Sequence, residues 1–393
     1  MSSSSSVSPG QSRLSAAKPI LRVAGIVLAI AVLVIAAYVA YVALTYSRIA
    51  DNVSLDVQTP SAQAGDSADA SNADSGALQV GREYTATTYN IGFGAYTPDY
   101  TFFMDEGRMA DGTKTVGEHA KAVSKSSVEN CTSGAINAIK SENPDFALFQ
   151  EVDTDSDRSW HVNQLDAITD AFGQMNSVFA QNLHSANLLY PLNDPIGTMN
   201  SGILTLSGCG IDSAVRRSYP ISDAFPTKFF DLDRCFAVVR IPVEGTDKQL
   251  VLINSHMSAY DEGGVFRAQQ MELLMGVMRQ EAQAGNWVIA GGDWNHALCG
   301  SQDMYVSQQQ IPDWLAVFDD EDLPEGFSVV RADNIEDVPT CRDDDIPYAP
   351  GVTYTSTVDG FLVSGNVDAQ AENLDTGFAC SDHNPVKLTF KLV

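Results

Sequence analysis

Short apolar runs recur along the chain, and most of them end on a polar or charged group. Strand-like segments are predicted at 84–90, 146–151, 202–206, 235–241, 250–256, 287–292, 360–364 and 386–392. Several alternate apolar and polar residues as half-buried strands do, and others are apolar throughout, as strands covered on both faces are. Between two of them, Phe266–Ala284 repeats apolar residues at three- and four-residue spacing through Met271, Leu274, Met275, Met278 and Ala282. That spacing predicts a helix with one apolar face, stopped by Gly285, and its methionines read as core filling. A second helix is expected over Val116–Lys140, ahead of Pro144. Strands mixed with helices predict an α/β fold of two packed sheets flanked by helices.

Val23–Ala43 has no charged residue and is dominated by Ile, Val, Leu and Ala, which is long enough to cross a bilayer as a helix. Tyr38, Tyr41 and Tyr46 suit its interface with water. Arg13, Lys18 and Arg22 precede it, whereas Asp51 and Asp56 follow with Arg48 as the nearby base, so the positive-inside rule puts the N-terminus in the cytoplasm. A cleaved signal peptide is the competing reading, but the run exceeds a usual signal core and no convincing small-x-small site follows it. The expected organisation is a cytoplasmic tail over 1–19, a transmembrane signal-anchor helix over 20–46, a flexible acidic linker over 47–82 and a folded domain over 83–393. The domain is expected to be monomeric, on the outer face of the cell membrane.

An apolar content of 44% and a charged content of 19% allow an ordinary globular core, but the formal net charge of −27 is far from ordinary. Such a surface repels polyanions and argues against passive nucleic-acid binding, while an acidic cleft still concentrates a metal ion. The six cysteines, Cys131, Cys209, Cys235, Cys299, Cys341 and Cys380, form an even set in a domain expected to face an oxidising compartment. Some disulfides are expected, with the pairing open and buried thiols the alternative; no Cys-x-x-Cys points to structural zinc.

The polar groups at the strand ends carry the chemistry. In chain order they are Tyr89-Asn90-Ile91, Gln150-Glu151-Val152, Asn254-Ser255-His256, Gly292-Asp293-Trp294-Asn295, Val358-Asp359-Gly360 and Ser381-Asp382-His383. Glu151 interrupts an apolar run, where an ionised carboxylate is costly unless paired or bound to metal. Asn90 offers a neutral oxygen at an equivalent place. His383 can serve as a base toward water with Asp359 as its carboxylate partner, and His256 can face phosphoryl oxygens or a leaving group. Asp293 and Asn295, one residue apart after two glycines, can point to the same side and position water and phosphate. Each such residue alone is more often a cap or a satisfied core group; six in order are hard to explain that way.

As an ordered set, these motifs resemble the endonuclease/exonuclease/phosphatase superfamily, which includes deoxyribonucleases, abasic-site endonucleases, sphingomyelinases and inositol-polyphosphate phosphatases. The resemblance covers residues 84–393, and Asn200-Ser201-Gly202-Ile203 adds to it. It implies a four-layer α/β sandwich and a Mg²⁺- or Mn²⁺-dependent attack of water on a phosphoester. By resemblance, Glu151, Asn90 and Asp382 lie at the metal, and His383, His256, Asp293, Asn295, Asp359 and Asp382 form the catalytic set. Asn90, Asn295 and His256 would contact substrate. Gly92 stands where abasic-site enzymes carry an acidic residue, so that subgroup is not supported, and the residues after His256 match no substrate class. No Trp- or Phe-rich insertion hairpin stands out, which weakens the sphingomyelinase-like subtype. The expected function is a membrane-tethered phosphoesterase acting on a nucleic acid or a phospholipid head group. The rival is a catalytically silent binding or adhesion domain on the same fold.

Asp153, Asp155 and Asp157 alternate like a calcium loop, but Arg158 and Gln164 occupy positions that such a loop gives to Gly and Glu. A solvated acidic loop is expected instead, from which Arg158 and His161 can reach substrate. The acidic stretch from Asp319 to Asp345 is expected to be exposed surface.

Overall fold

A computed structural model describes residues 9–60, 76–259, 264–318 and 320–393. Positions 61–75 of the linker expected over 47–82, and positions 260–263 of the unmatched segment after His256, fall outside these residues. Two compact units divide the chain at Ser47 and Arg48. The first contains helix α1 (Pro9–Thr45), whose last 25 residues, Leu21–Thr45, are apolar enough to cross a membrane. At 1.5 Å per residue that stretch is about 37 Å long, enough for a hydrocarbon layer of about 30 Å.

The second unit is an α/β sandwich. The strands of its two large sheets are β1 (Val53–Ser54), β2 (Val57–Gln58), β3 (Glu83–Asn90), β4 (Phe146–Asp153), β5 (Asn176–His184), β6 (Asn200–Ser207) and β7 (Ser213–Ser218). They continue with β8 (Cys235–Pro242), β9 (Gln249–His256), β10 (Trp287–Asp293), β11 (Phe327–Val329), β12 (Asp359–Ser364), β13 (Val367–Asn373) and β14 (Val386–Leu392). Helices α2 (Lys125–Glu142), α3 (Gln164–Ala171) and α4 (Val265–Gln283) lie among them. One seven-stranded sheet runs β1-β7-β8-β9-β10-β12-β11 and the other β13-β14-β3-β4-β6-β5-β2. Among the described residues the parallel pairs in the two sheets are β3 with β4 and β9 with β10, each joined through a helix, α2 and α4 respectively. A parallel pair needs such a crossover, whereas the antiparallel neighbours close through loops.

Period-two alternation sorts the side chains into layers. Phe146 and Leu148 of β4 meet Leu250 and Leu252 of β9 in the central core, while Ala147 and Phe149 face Ile136 and Ile139 of α2. On the other sheet, Val251 and Ile253 pack against Leu274, Met275 and Met278 of α4, so the methionine face is core. Strands apolar on both faces are what sheets covered on both sides require.

Every strand expected from the apolar runs is present. Helix α2 starts nine residues later than expected, because the Ser124 side chain accepts from the Ser127 backbone N–H and caps the first turn, while Lys114–Val116 is a short strand. Asn143, at φ 47° ahead of Pro144, ends it. The segment expected as linker is also different at its start. Strands β1 and β2 pair with β7 of one sheet and β5 of the other, so this short segment spans an edge of both sheets and the compact unit starts at Arg48. Arg48 is held by Asp233 at 2.5 Å and Asp223 at 3.7 Å. Among the cysteines, Cys131 on α2 and Cys380 are thiols in hydrogen-bonding contact, and Cys235 and Cys341 are buried thiols.

Candidate active site

The two central parallel pairs deliver their C-terminal ends to the same place. On one sheet the ladder sets His256, Asp293 and Asp359 side by side, at the ends of β9 and β10 and the start of β12. On the other, Asn90 ends β3 opposite Gln150, and a bulge after Phe149 brings Glu151 into the cleft. Glu151 has φ 55°, a left-handed conformation that a bulge can impose and that re-aims its side chain. Ser381, Asp382 and His383 enter from the loop before β14.

The Asn90 side-chain NH₂ group donates to Glu151 at 3.2 Å and to Asp293 at 3.0 Å and lies 3.4 Å from His383 Nε2. Its oxygen accepts from the Gly92 N–H. Asn90 thus bridges the carboxylates with its nitrogen and does not turn its oxygen to them. His383 Nδ1 lies 2.8 Å from Asp359, whose own N–H is taken by Thr340. Opposite, His383 Nε2 is 3.8 Å from Asp293 and 3.7 Å from Asp382. Asp293 also accepts from the Asn295 N–H, and Asn295, at φ 50°, donates its side chain to Met257 O at 2.9 Å. His256 Nε2 is 3.5 Å from Asp293 and 3.9 Å from Glu151.

Burial alone would depress the His383 pKa, but Asp359, Cys341, Asp382 and Asp293 together raise it well above the usual histidine value. Burial raises Asp359 to about 6 against the pull of His383. Glu151 is raised by burial, with Arg158 opposing and Asp382 reinforcing. His256 is lowered well below the usual value, first by burial and then by Arg234 and His383.

Arg234 went unseen in the sequence. Its guanidinium lies 2.5 Å from His256 Nε2 and donates to Met257 O, and its buried Nε has no hydrogen-bond partner. Because Arg only donates, His256 must accept at Nε2 and carry its proton on Nδ1. The antiparallel register offered a signal: Cys235 pairs with His256, which sets the residue before β8 beside the end of β9. Gln150 and Asn254 are also structural, joined across the two sheets at 2.8 Å beneath the site.

Arg158 is buried, fork-bonded to Asp153 at 2.7 and 3.0 Å and stacked over Phe93 at 4.0 Å. Contrary to the solvated loop expected here, Asp153 is a buried partner of that arginine; Asp155 and His161 do form an exposed pair at 2.6 Å. The exposed surface expected from Asp319 to Asp345 holds at Asp320, Asp322, Glu325, Asp333, Glu336 and Asp337 but fails at its end. Asp344 and Asp345 are buried, paired with Arg342 and with Thr115 and Gln309, because these polar partners replace the lost water. Asp319 lies outside the described residues.

A cavity of about 160 Å³ adjoins these groups. Glu151, Arg234, His256, Asn295, Asp382 and His383 line its polar end, and Phe93, Tyr96, Phe102, Phe230 and Trp314 line its apolar walls. Asp293, Asp359 and His383 have potential ligand atoms within 4.8 Å of one another. His383 and Asp359 already share a direct hydrogen bond, which a cation placed between them would break.

No family model matches the chain, and no curated protein matches it in sequence. Solved structures do match it in shape. An endonuclease/exonuclease/phosphatase from Beutenbergia cavernae DSM 12333 is 16% identical with a TM-score of 0.51, over 79% of this chain and 72% of that one. TDP2 from C. elegans is 16% identical with a TM-score of 0.48, over 79% and 76% of the chains. ANGEL2, described as a 2′,3′-cyclic phosphatase, is 14% identical with a TM-score of 0.46, over 79% and 96%. With two mixed sheets packed face to face between helices and a likeness to the first of these above 0.5, the chain has the endonuclease/exonuclease/phosphatase fold.

Proposed function

We propose that this chain is a membrane-tethered phosphoesterase that hydrolyses a phosphodiester or phosphomonoester by in-line attack of water, with Mg²⁺ or Mn²⁺ as cofactor. One observation carries the reading. Asn90, Glu151, His256, Asp293 and His383, from five separate segments, form a connected set with contacts of 3.0 to 3.9 Å at the mouth of a cavity.

The donor set fits a hard cation. Glu151 and Asp382 supply carboxylate oxygens, and burial together with Asp382 makes a charged Glu151 costly in a way that a divalent ion relieves. When bound, the ion supplies positive charge for the phosphoryl oxygens. The remaining work belongs to the chain's own groups. In its neutral form His383 takes the proton of the attacking water at Nε2, while Asp359 holds Nδ1–H and fixes the tautomer. The carboxylates that raise the His383 pKa stabilise the imidazolium it becomes. Asp293 and Asn295 orient water and phosphate, and Asn90 holds Glu151 and Asp293 in register. Arg234 faces the phosphoryl oxygens, with His256 as a neutral group that aims it. Arg158 acts from behind Glu151 as a positioning charge, since Asp153 occupies its fork.

The α1 helix supports a single-pass anchor with the N-terminus cytoplasmic and the sandwich outside; protection of the sandwich from added protease on intact cells would overturn that topology. The test of chemistry is hydrolysis of bis-p-nitrophenyl phosphate by the full chain, with EDTA and Mg²⁺ add-back, beside His383→Ala and Glu151→Ala. Metal-dependent turnover that drops at least about 100-fold in each variant is the expected result. Unchanged turnover in the variants, or none in the parent, would overturn the reading and favour the silent binding domain.

A further inference from the structure

The cavity has an apolar rim that belongs to no strand of either sheet. Leu192 is 86% exposed, Phe225 67% and Tyr190 55%. They come from two loops that meet where Tyr190 packs on Phe230 at 5.9 Å; Tyr190 also packs on Phe103 at 5.7 Å, Leu192 lies two residues on, and Phe225 packs on Phe229 of its own loop at 5.7 Å. Phe230 and Thr227 themselves line the cavity, so the rim continues into the apolar wall beside Arg234. Lys228 sits over the half-buried Phe229 ring at 5.4 Å. Large apolar side chains clustered at the mouth of a site mark a surface that meets something apolar.

The chain itself says what. The loop of Phe225 is flanked by Asp223 and Asp233, and both hold Arg48. Arg48 follows the end of the apolar helix, Thr45, by three positions, a reach of roughly 10 Å along an extended backbone. The chain is thus tied, where the second unit begins, to the loop that borders the cavity. A nucleic-acid substrate would call for basic groups around the mouth, whereas this protein carries a net charge of −27 and an apolar rim.

We propose that Tyr190, Leu192 and Phe225 dock on the surface of a phospholipid bilayer, and that the site takes the phosphoester of a lipid head group. This assignment rests on the phosphoesterase reading and names its substrate class. The rim rings enter the head-group region, as aromatic side chains do at membrane interfaces. The apolar cavity walls shelter the first atoms of the lipid, while Arg234 and the carboxylate set meet its phosphate.

The test uses the full chain reconstituted in vesicles of phosphatidylcholine and phosphatidylglycerol with Mg²⁺. Release of water-soluble phosphorylated product is followed beside hydrolysis of bis-p-nitrophenyl phosphate by the same preparation. The expected result is that Leu192→Ser/Phe225→Ser lowers lipid turnover at least about tenfold and leaves the soluble diester unaffected, the signature of lost docking rather than lost chemistry. Arg48→Glu, which breaks the fastening outside the site, is expected to give the same split. Equal loss on both substrates, or no loss on lipid, overturns the docking surface. A parent that hydrolyses the soluble diester or plasmid DNA but no lipid overturns the lipid assignment and leaves the phosphoesterase reading standing. A parent inactive on every substrate removes both.

Discussion

At the scale of single residues, the site is set by which partner each buried polar group has found. Asp359 touches His383 and nothing in the cleft, so its replacement tests a positioning role: Asp359→Asn should keep substrate affinity and lower kcat by about 100-fold or more, because the amide no longer stabilises the imidazolium. A steady-state titration separating kcat from KM checks this. His256 is held neutral by burial and by Arg234, with its pKa well below the unfolded value. The unfolded chain therefore binds a proton that the folded chain refuses. The stability this group contributes is full above its unfolded pKa near 6.5 and is lost as pH falls below it. Melting temperatures at pH 7, 6 and 5 should drop less for His256→Gln than for the parent. Asn90 and Glu151 were legible in the sequence because each interrupts an apolar run. Arg234 was not, since an arginine ahead of a strand is ordinary until its register beside His256 is known.

At the scale of elements, two strand-helix-strand crossovers supply the polar ends, and their close packing constrains the backbone. A Cβ on Gly292 in β10 would lie 2.0 Å from the Ser255 carbonyl oxygen of β9. Gly292→Ala is thus expected to cost about 2 kcal/mol or more, read from urea denaturation, and to lower activity by spreading His256 from Asp293. Beneath the site, Gln150 and Asn254 hydrogen-bond between the sheets, so Gln150→Leu should cost about 1–3 kcal/mol by leaving the Asn254 oxygen unpaired. The long apolar strands and α4 were readable because burial on both faces leaves a strong pattern. Strands β5, β7 and β13 were missed because their sequences, such as VDAQAEN, are polar and lie at or near sheet margins where one face meets water. The buried Asp344 and Asp345 were misread for the opposite reason: acidic runs are usually solvated, and only polar partners, Arg342 two residues away and Gln309 from a distant segment, reverse that.

At the scale of the whole molecule, a net charge of −27 and a cleft of carboxylates make divalent cations natural stabilisers. Millimolar Mg²⁺ should raise the melting temperature, and the rise should shrink in Glu151→Gln/Asp382→Asn more than equal ionic strength of NaCl accounts for. The segment Arg48–Gln58 carries a consequence for anyone handling this protein. Its two short strands are the last partners on β7 and on β5, and with them gone both ladders would end in unsatisfied N–H and C=O groups. A soluble fragment begun at Glu83, where the apolar pattern invites the cut, would present two sticky margins to its neighbours and tend to aggregate strand against strand. One begun at Arg48 keeps them covered.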